Sequence, residues 1–330
     1  MKMLVTGGSG FIGSRLALEA RAHGREVVVA GQLNSMPERH RARELEAAGI
    51  RIEQGPLQDM DFARRVSAGC ETVIHLAAAQ HEANVPEEYF FDVNVNGTRT
   101  LLEASAHAGV KRFVYGSTIG VYGEYRGEPL DENSPPAPMN AYGRSKLKAE
   151  EVVRAFGGGV ETAIVRISET YGPGDFRLLK LYRAVNKGRF FIVGSGDNLR
   201  QAIYVDDLVR GLLLAASSPA AVGETFVMAG AETMTTRTLV WDVAGALAKP
   251  TPSLRVPMGP FLLAALVMEG TLTPLGIQPP LHRRRLDFFR KSFVLSSAKA
   301  QRVLDFAPRV THAAGALHTA SWYRDQGLLP

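Results

Sequence analysis

Tyr142 and Lys146 stand four residues apart in "AYGRSKLKAE" (141–150), a segment that otherwise reads as a helix. Residues four apart share a helix face, so a phenol and an ammonium can point into one cleft. A tyrosine at its ordinary pKa of about 10 is a poor acid–base group at neutral pH. A nearby ammonium favours the phenolate and lowers that value. Such a pair can give a proton to a ketone oxygen as hydride reaches the carbonyl carbon. The same spacing also arises on solvated helices, so its meaning depends on what the rest of the chain builds around it.

A third polar group can come from "RFVYGSTIGVYG" (112–123), where Ser117 and Thr118 follow the apolar run Phe113–Tyr115. Parallel α/β sheets bind ligands beyond the carboxyl ends of their strands, and a hydroxyl there can hold a reacting oxygen. A plain turn hydroxyl is the alternative. The first thirty residues supply the frame. "KMLVTGGSGFIGSRLALEARAHGREVVVAG" holds a β-prone run Met3–Thr6, three glycines (Gly7, Gly10, Gly13), apolar residues at helical spacing up to Gly24, and a second strand. Strand, glycine loop, helix, strand opens a parallel α/β sheet. The glycines let backbone turn tightly and approach a pyrophosphate, and the helix N-terminus offers free N–H groups and the positive end of its dipole.

"TGGSGFIG" (6–13) resembles the TGxxGxxG fingerprint of the extended short-chain dehydrogenase/reductase family. "VIHLAA" (73–78), "NVNGTRTLLEAS" (94–105), "RFVYGSTIGVYG", "YGRSK" (142–146) and "YGPGD" (171–175) follow in that family's order and spacing, over most of the chain. The resemblance implies an α/β fold: a Rossmann-type doubly wound parallel sheet with a smaller, interleaved C-terminal substrate lobe. It implies an NAD(P) cofactor and a homodimer built on the Tyr/Lys helix and its neighbour. It makes Tyr142 the proton donor, and Lys146 its tuner and a holder of the nicotinamide ribose. Thr118 becomes the catalytic hydroxyl, with Ser117 as runner-up. Asn94 falls where the family supports site and cofactor, although helix capping would also account for it. The cofactor would meet Gly7, Gly10, Phe11, Ile12 and Gly13, then Leu57, then Leu76, Ala77 and Ala78. His75 reads as structural or cofactor-adjacent, and His107 and His282 as surface residues.

Two departures bear on the cofactor. NAD-preferring enzymes place an acidic residue at the end of the second strand, where it accepts from the ribose hydroxyls. Here that strand ends "VVVAGQLN", with Gly31 and then Gln32, and the cations Arg39, His40, Arg41 and Arg43 follow. NADP(H) is therefore expected over NAD(H), with at least two of the arginines on a solvated helix face. In "EQGPLQD" Pro56 stands where the family has an acid for the adenine amino group, and Asp59 is a candidate substitute.

Other residues narrow the reaction. Sugar dehydratases of the family carry an Asp-Glu pair after the catalytic threonine; here Ile119 and Gly120 stand there, against elimination. Arg200 in "RQAIYVDD" could meet a diphosphate, as in nucleotide-sugar epimerases. Glu169, however, replaces the asparagine usual before "YGPG", and a carboxylate repels a diphosphate. Glu169 and Arg200 are thus the candidate substrate residues. "VPMGPFLLAALVMEGTLTPLGIQPPLHRRRLDFFRKSF" (256–293) runs from an apolar helical stretch through Pro274, Pro279 and Pro280 to Arg283, Arg284 and Arg285, with Phe288 and Phe289 behind. It resembles the hydroxysteroid-dehydrogenase-like and lipid-ketone-reductase branch. Two readings stay open: a greasy pocket whose mouth rests on anionic headgroups, or a core helix followed by a solvated basic loop.

The expected reaction is reduction of a ketone, or oxidation of the alcohol, on a hydrophobic substrate such as a 3-keto sphingolipid, a ceramide or a 3-hydroxysteroid. A nucleotide-sugar 4-epimerase with bound NAD is the alternative, and a non-enzymatic cofactor-sensing protein the second. The 330 residues are 45% hydrophobic and 22% charged, with a net charge of +5, ordinary for a globular chain. No nucleic-acid module accompanies that mild basicity. One cysteine, Cys70, allows no intrachain disulfide, and no metal-ligand spacing occurs, so no metal is expected. The opening "MKMLVTGG" lacks a signal-peptide layout. A cytoplasmic location is expected, with peripheral contact at the inner membrane face through 256–293 left open. Residues 1–173 and 197–230 read as the cofactor domain, and 174–196 and 231–330 as the substrate lobe.

Overall fold

The computed structural model describes residues 1–80, 85–123, 127–272, 277, 279, 281 and 283–330. Pro274, Pro280 and His282 lie outside the described residues, as do the side chains of Arg283, Arg284 and Arg285. The central strands are β1 (Lys2–Thr6), β2 (Glu26–Ala30), β3 (Arg51–Glu53), β4 (Thr72–His75), β5 (Arg112–Thr118), β6 (Glu161–Ile167) and β7 (Thr225–Met228). They form one seven-stranded sheet in the order β7-β6-β5-β4-β1-β2-β3, with every pairing parallel.

The strands are apolar on both faces because helices cover both faces. Successive side chains point to opposite sides. Met3 and Val5 join one core and Leu4 the other; Val27 and Val29 join the first, Val28 and Ala30 the second. The first core includes Leu16 and Ala17 of α1 (Phe11–Ala22), Leu45 of α2 (Met36–Ala47) and Leu208 and Leu212 of a later helix, Val205–Ser217. The second is closed by Phe62 and Val66 of α3 (Met60–Ser67), and, beyond α4 (Glu87–Phe91), by Leu101 and Leu102 of α5 (Gly97–His107) and Ala149 and Val153 of α6 (Ala141–Ala155).

The register aligns the carboxyl ends that matter. Thr6 stands beside Ala30 and His75, His75 beside Tyr115, and Thr118 beside Ile167. Beyond this edge, three two-stranded ladders secure the connecting segments: Thr170–Tyr171 with Ile203–Tyr204, Leu199–Arg200 with Met234–Thr235, and Ile192–Val193 with Arg255–Val256. A further core joins Tyr182 and Val185 of α7 (Leu179–Asn186) to residues of two later helices. These are Val240 and Val243 of Thr236–Ala246, and Ala316, Ala320 and Tyr323 of His312–Asp325.

Candidate active site

The glycine loop leaves β1 at Gly7, which has φ +67°, a region few side chains tolerate. A Cβ at Gly13 would lie 2.3 Å from the Gly7 carbonyl oxygen, so the first turn of α1 can press this close to the loop only with glycine there. Phe11, Ile12 and Gly13 open that helix, where backbone N–H groups have no intrahelical acceptor. Gly10 caps it without any side-chain bond. Leu76, Ala77 and Ala78 leave β4 half-buried next to Gly7, with the Leu76 N–H donating to the Thr6 carbonyl. An open helix N-terminus over a bare backbone cradle fits a pyrophosphate.

His75 ends β4 and is buried. Its Nδ1 lies 2.6 Å from Thr6 Oγ1 and its Nε2 2.9 Å from Thr98 Oγ1. Burial pushes its pKa down to about 3, so it is a neutral bridge between two threonines and not an acid–base group.

Tyr142 and Lys146 lie on α6, which Asn140 caps by accepting from the Gly143 N–H at 2.8 Å. Lys146 is 1% exposed, and its Nζ donates to the Gly116 carbonyl at 2.7 Å, two residues before Thr118. The ammonium also sits 4.0 Å from the centre of the Tyr115 ring. Burial pushes it down to about 7, against a raising influence from Glu150. The turn that carries Tyr142 is set against the segment after Thr118, because a Cβ at Gly143 would lie 2.7 Å from the Gly120 carbonyl oxygen. Thr118 is half-buried at the end of β5, and its Oγ1 accepts from the Gly120 N–H at 3.1 Å. Tyr142, Lys146 and Thr118 thus converge on one edge of the sheet.

Asn94 does not cap a helix. It lies in a π-helical segment, Asp92–Asn96, between α4 and α5. Such local widenings occur often at functional sites. Its Oδ1 accepts from the Ala79 N–H at 2.8 Å, and its Nδ2 donates to the Ala79 carbonyl at 3.0 Å and to Ser145 Oγ at 2.9 Å. Ser145 in turn donates to the Tyr142 carbonyl at 2.9 Å. Asn94 therefore ties the loop after β4 to the backbone of the tyrosine.

Ser117 has a different position from the one expected. Its Oγ donates to Glu150 Oε1 at 2.5 Å, in a buried cluster below the cleft. Glu150 is 0% exposed and also accepts from Arg166 Nε at 3.0 Å, Arg166 Nη2 at 2.8 Å and Arg154 Nη2 at 2.6 Å. Burial pushes the Glu150 carboxyl up, but Arg166, Ser117 and Arg154 outweigh it and hold it below its ordinary value. Ser117 belongs to this buried cluster, whereas Thr118 is half-buried at the end of β5.

The adenosine end also corrects one expectation. Arg41 is buried: its Nε donates to the Ser9 carbonyl at 2.8 Å and its Nη1 to the Gly174 carbonyl at 3.1 Å. It braces the glycine loop and is not a member of an open cationic cluster. Asp59 is exposed and caps α3 by accepting from the N–H groups of Asp61 and Phe62 at Oδ1. Gly31 has no room for an acid in this conformation, since a Cβ would lie 2.4 Å from Ser9 Oγ. Gln32 is exposed and its carbonyl accepts from Ser9 Oγ at 2.7 Å. Arg39 is exposed and donates to the Leu33 carbonyl at 2.9 Å. Leu57 is half-buried beside Gly97 of α5.

Glu169 and Arg200 face each other. Arg200 Nε donates to Glu169 Oε2 at 3.0 Å, and its Nη2 donates to Oε1. Arg200 Nη1 donates to the Phe288 carbonyl at 2.7 Å, and the guanidinium lies 4.4 Å from the Phe288 ring centre. Every nitrogen of Arg200 is therefore engaged within the chain. Ile119, at one of the positions where a dehydratase carries its acids, is 5% exposed in a cluster with Val121, Tyr122 and Val227. Among the described residues no group of His, Cys, Asp or Glu could hold a metal ion. His107 is exposed.

The fold and this edge are those of a cofactor-dependent oxidoreductase. Residues 3–229 match the model of the NAD dependent epimerase/dehydratase family, and the chain belongs to that family, within the Rossmann-type short-chain dehydrogenase/reductase superfamily. It is an NAD-dependent enzyme of epimerase/dehydratase type. It is 31% identical to the 4-hydroxy-2-methyl-3-oxo-4-farnesyl-3,4-dihydroquinoline-1-oxide ketoreductase of Stigmatella aurantiaca, over 96% of this chain and 94% of that protein. It is 30% identical to the N-acetyl-alpha-D-glucosaminyl-diphospho-ditrans,octacis-undecaprenol 4-epimerase of Escherichia coli O157:H7, over 77% of this chain and 75% of that protein. The solved dTDP-glucose 4,6-dehydratase DesIV of Streptomyces venezuelae, with NAD and TYD bound, superposes with a TM-score of 0.77 at 27% identity, covering 98% of this chain and 97% of that one.

Proposed function

We propose that this protein is an NAD(P)-dependent carbonyl reductase, or in reverse an alcohol dehydrogenase, for a hydrophobic ketone of the lipid or sterol type. A 3-keto sphingolipid, a ceramide and a 3-hydroxysteroid are candidate compounds. The observation that carries this reading is the Glu169–Arg200 pair at the substrate side. A diphosphate would have to displace a carboxylate from that guanidinium and then lie beside it, which is repulsive. A substrate without phosphate meets no such obstacle. The farnesylated ketone in the name of the Stigmatella relative supports the same class.

A nicotinamide cofactor held by the glycine loop and Lys146 would supply the hydride. In this reading Tyr142 gives its proton to the carbonyl oxygen, Thr118 donates a hydrogen bond to the same oxygen, and Lys146 lends positive charge beside the phenol. Asn94 and Ser145 hold the backbone of Tyr142 in place. NADP(H) is the preferred cofactor, because Gly31 offers no carboxylate against a 2′-phosphate and Arg39 is the exposed cation near that loop. Arg41 no longer counts toward this preference.

A nucleotide-sugar 4-epimerase is the second reading, favoured by the polyprenol-linked sugar epimerase among the relatives. The test is a panel of keto-lipids in mild detergent, run beside UDP-sugars with the purified protein. Oxidation of NADPH that depends on a keto-lipid supports the reductase. Interconversion of UDP-sugars without net cofactor use sinks it.

A further inference from the structure

One helix is apolar yet covered by little else. The chain continues past α8 (Val205–Ser217) and α9 (Thr236–Ala246) to α10 (Met258–Leu272). Of its 15 residues only Ala265 is buried. Leu263 is 64% exposed, Val267 56% and Leu266 44%. Glu269 is its one charged residue. A helix that is apolar all round belongs in a core or at a lipid phase. Among the described residues no helix is long and apolar enough to cross a membrane. At about 1.5 Å per residue, α10 is also shorter than the roughly 30 Å hydrocarbon layer.

The surroundings supply the second half of the pattern. Phe261 of α10 stacks against Phe191, with ring centres 5.7 Å apart. Phe191 precedes Ile192–Val193, which pairs with Arg255–Val256. Leu254, beside that ladder, is 62% exposed. Lys187 and Arg189, a few residues before that ladder, and Arg255, within it, are exposed, and among the described residues no carboxylate forms an ion pair with them. Exposed apolar side chains together with exposed, unpaired cations match an anionic bilayer surface: the first enter the acyl boundary and the second meet headgroups. A protein core or an apolar partner would have no use for the cations.

We propose that Leu254, Leu263, Leu266 and Val267, with Lys187 and Arg255, form a docking surface for an anionic lipid bilayer. The surface also connects to the substrate side. α11 (Arg283–Arg290) packs on α10, and its Phe288 carbonyl is the group that Arg200 and Asn198 hold. The docking rests on the exposed helix and its cations and stands apart from the choice of ketone.

The experiment is co-sedimentation of the full chain with vesicles of phosphatidylcholine alone and of phosphatidylcholine with phosphatidylglycerol. Light scattering in solution is run alongside. Binding to the anionic vesicles should be about tenfold stronger or more, and should fall as salt rises. Leu263→Asp with Val267→Asp should lower it about tenfold or more, as should Lys187→Glu with Arg255→Glu. Both pairs are exposed, so melting temperatures should stay near wild type. Equal binding to both vesicle types, or binding unchanged in either variant, overturns the proposal. So does a wild-type dimer that Leu263→Asp splits, since a second copy would then cover the face.

Discussion

Glu150→Gln keeps the shape of a fully buried side chain and removes its charge. Arg166 is 3% exposed and would keep its bond to Tyr122 Oη at 2.9 Å, but would lose its countercharge. The amide has one acceptor oxygen, whereas the carboxylate serves Ser117, Arg154 and two nitrogens of Arg166. Breaking a buried pair from one side costs about 3–5 kcal/mol. Unfolding entropy of about 2 cal/mol/K per residue gives a chain of this length about 0.7 kcal/mol/K. The melting temperature should therefore fall by about 4–7 °C, read by calorimetry. A second effect follows at Lys146. Glu150 raises the Lys146 pKa, so its loss lowers that pKa further, and the alkaline limb of turnover should move to lower pH. A melting temperature within about 1 °C of wild type would refute the reasoning, because the buried guanidinium would then need no countercharge.

Tyr142→Phe should lower turnover by about a hundredfold to ten-thousandfold while cofactor affinity stays within a few-fold in a fluorescence titration; unchanged turnover would remove Tyr142 from the chemistry. Lys146 folds with its pKa depressed to about 7 from an ordinary 10.5, so between those values the unfolded chain holds the extra proton and raising the pH favours the folded state. In urea titrations the stability of wild type relative to Lys146→Met should rise across that window and be flat below it. A flat difference throughout would mean that Lys146 is not desolvated. Arg39→Ala should shift the preference for NADPH over NADH by about tenfold toward NADH, since a charge-assisted bond to phosphate contributes about 1.5 kcal/mol or more. Equal loss for both cofactors would place Arg39 elsewhere.

The sheet was legible because its strands are apolar on both faces and are separated by helical patterns. Six of the seven strands stand out this way, and the seventh, Thr225–Met228, is a short run whose partner β6 lies far back in the chain. The glycine loop and the Tyr142–Lys146 spacing were legible because both are local. Ser117 was not, because its partner Glu150 and the Arg166 that pairs with that carboxylate arrive from a helix and a strand much later in the chain. The same holds for Arg41, which reaches Gly174 across the loop, and for Glu169, whose charge has meaning only beside Arg200. Asn94 gave a hint in its segment but not its π-helical turn. Gly143 carried a missed signal: a glycine beside a tyrosine at a helix start points to a close backbone contact, here with Gly120.

The most direct measurement follows deuterium from the cofactor. The purified protein is given NADPH deuterated at the transferable position of nicotinamide C4, together with a keto-lipid in mild detergent, and the product is weighed by mass spectrometry. The reductase reading predicts an alcohol one mass unit heavier, formed in step with cofactor oxidation and lost in Tyr142→Phe. An unlabelled or absent alcohol, with UDP-sugars interconverted by the same preparation, would contradict it.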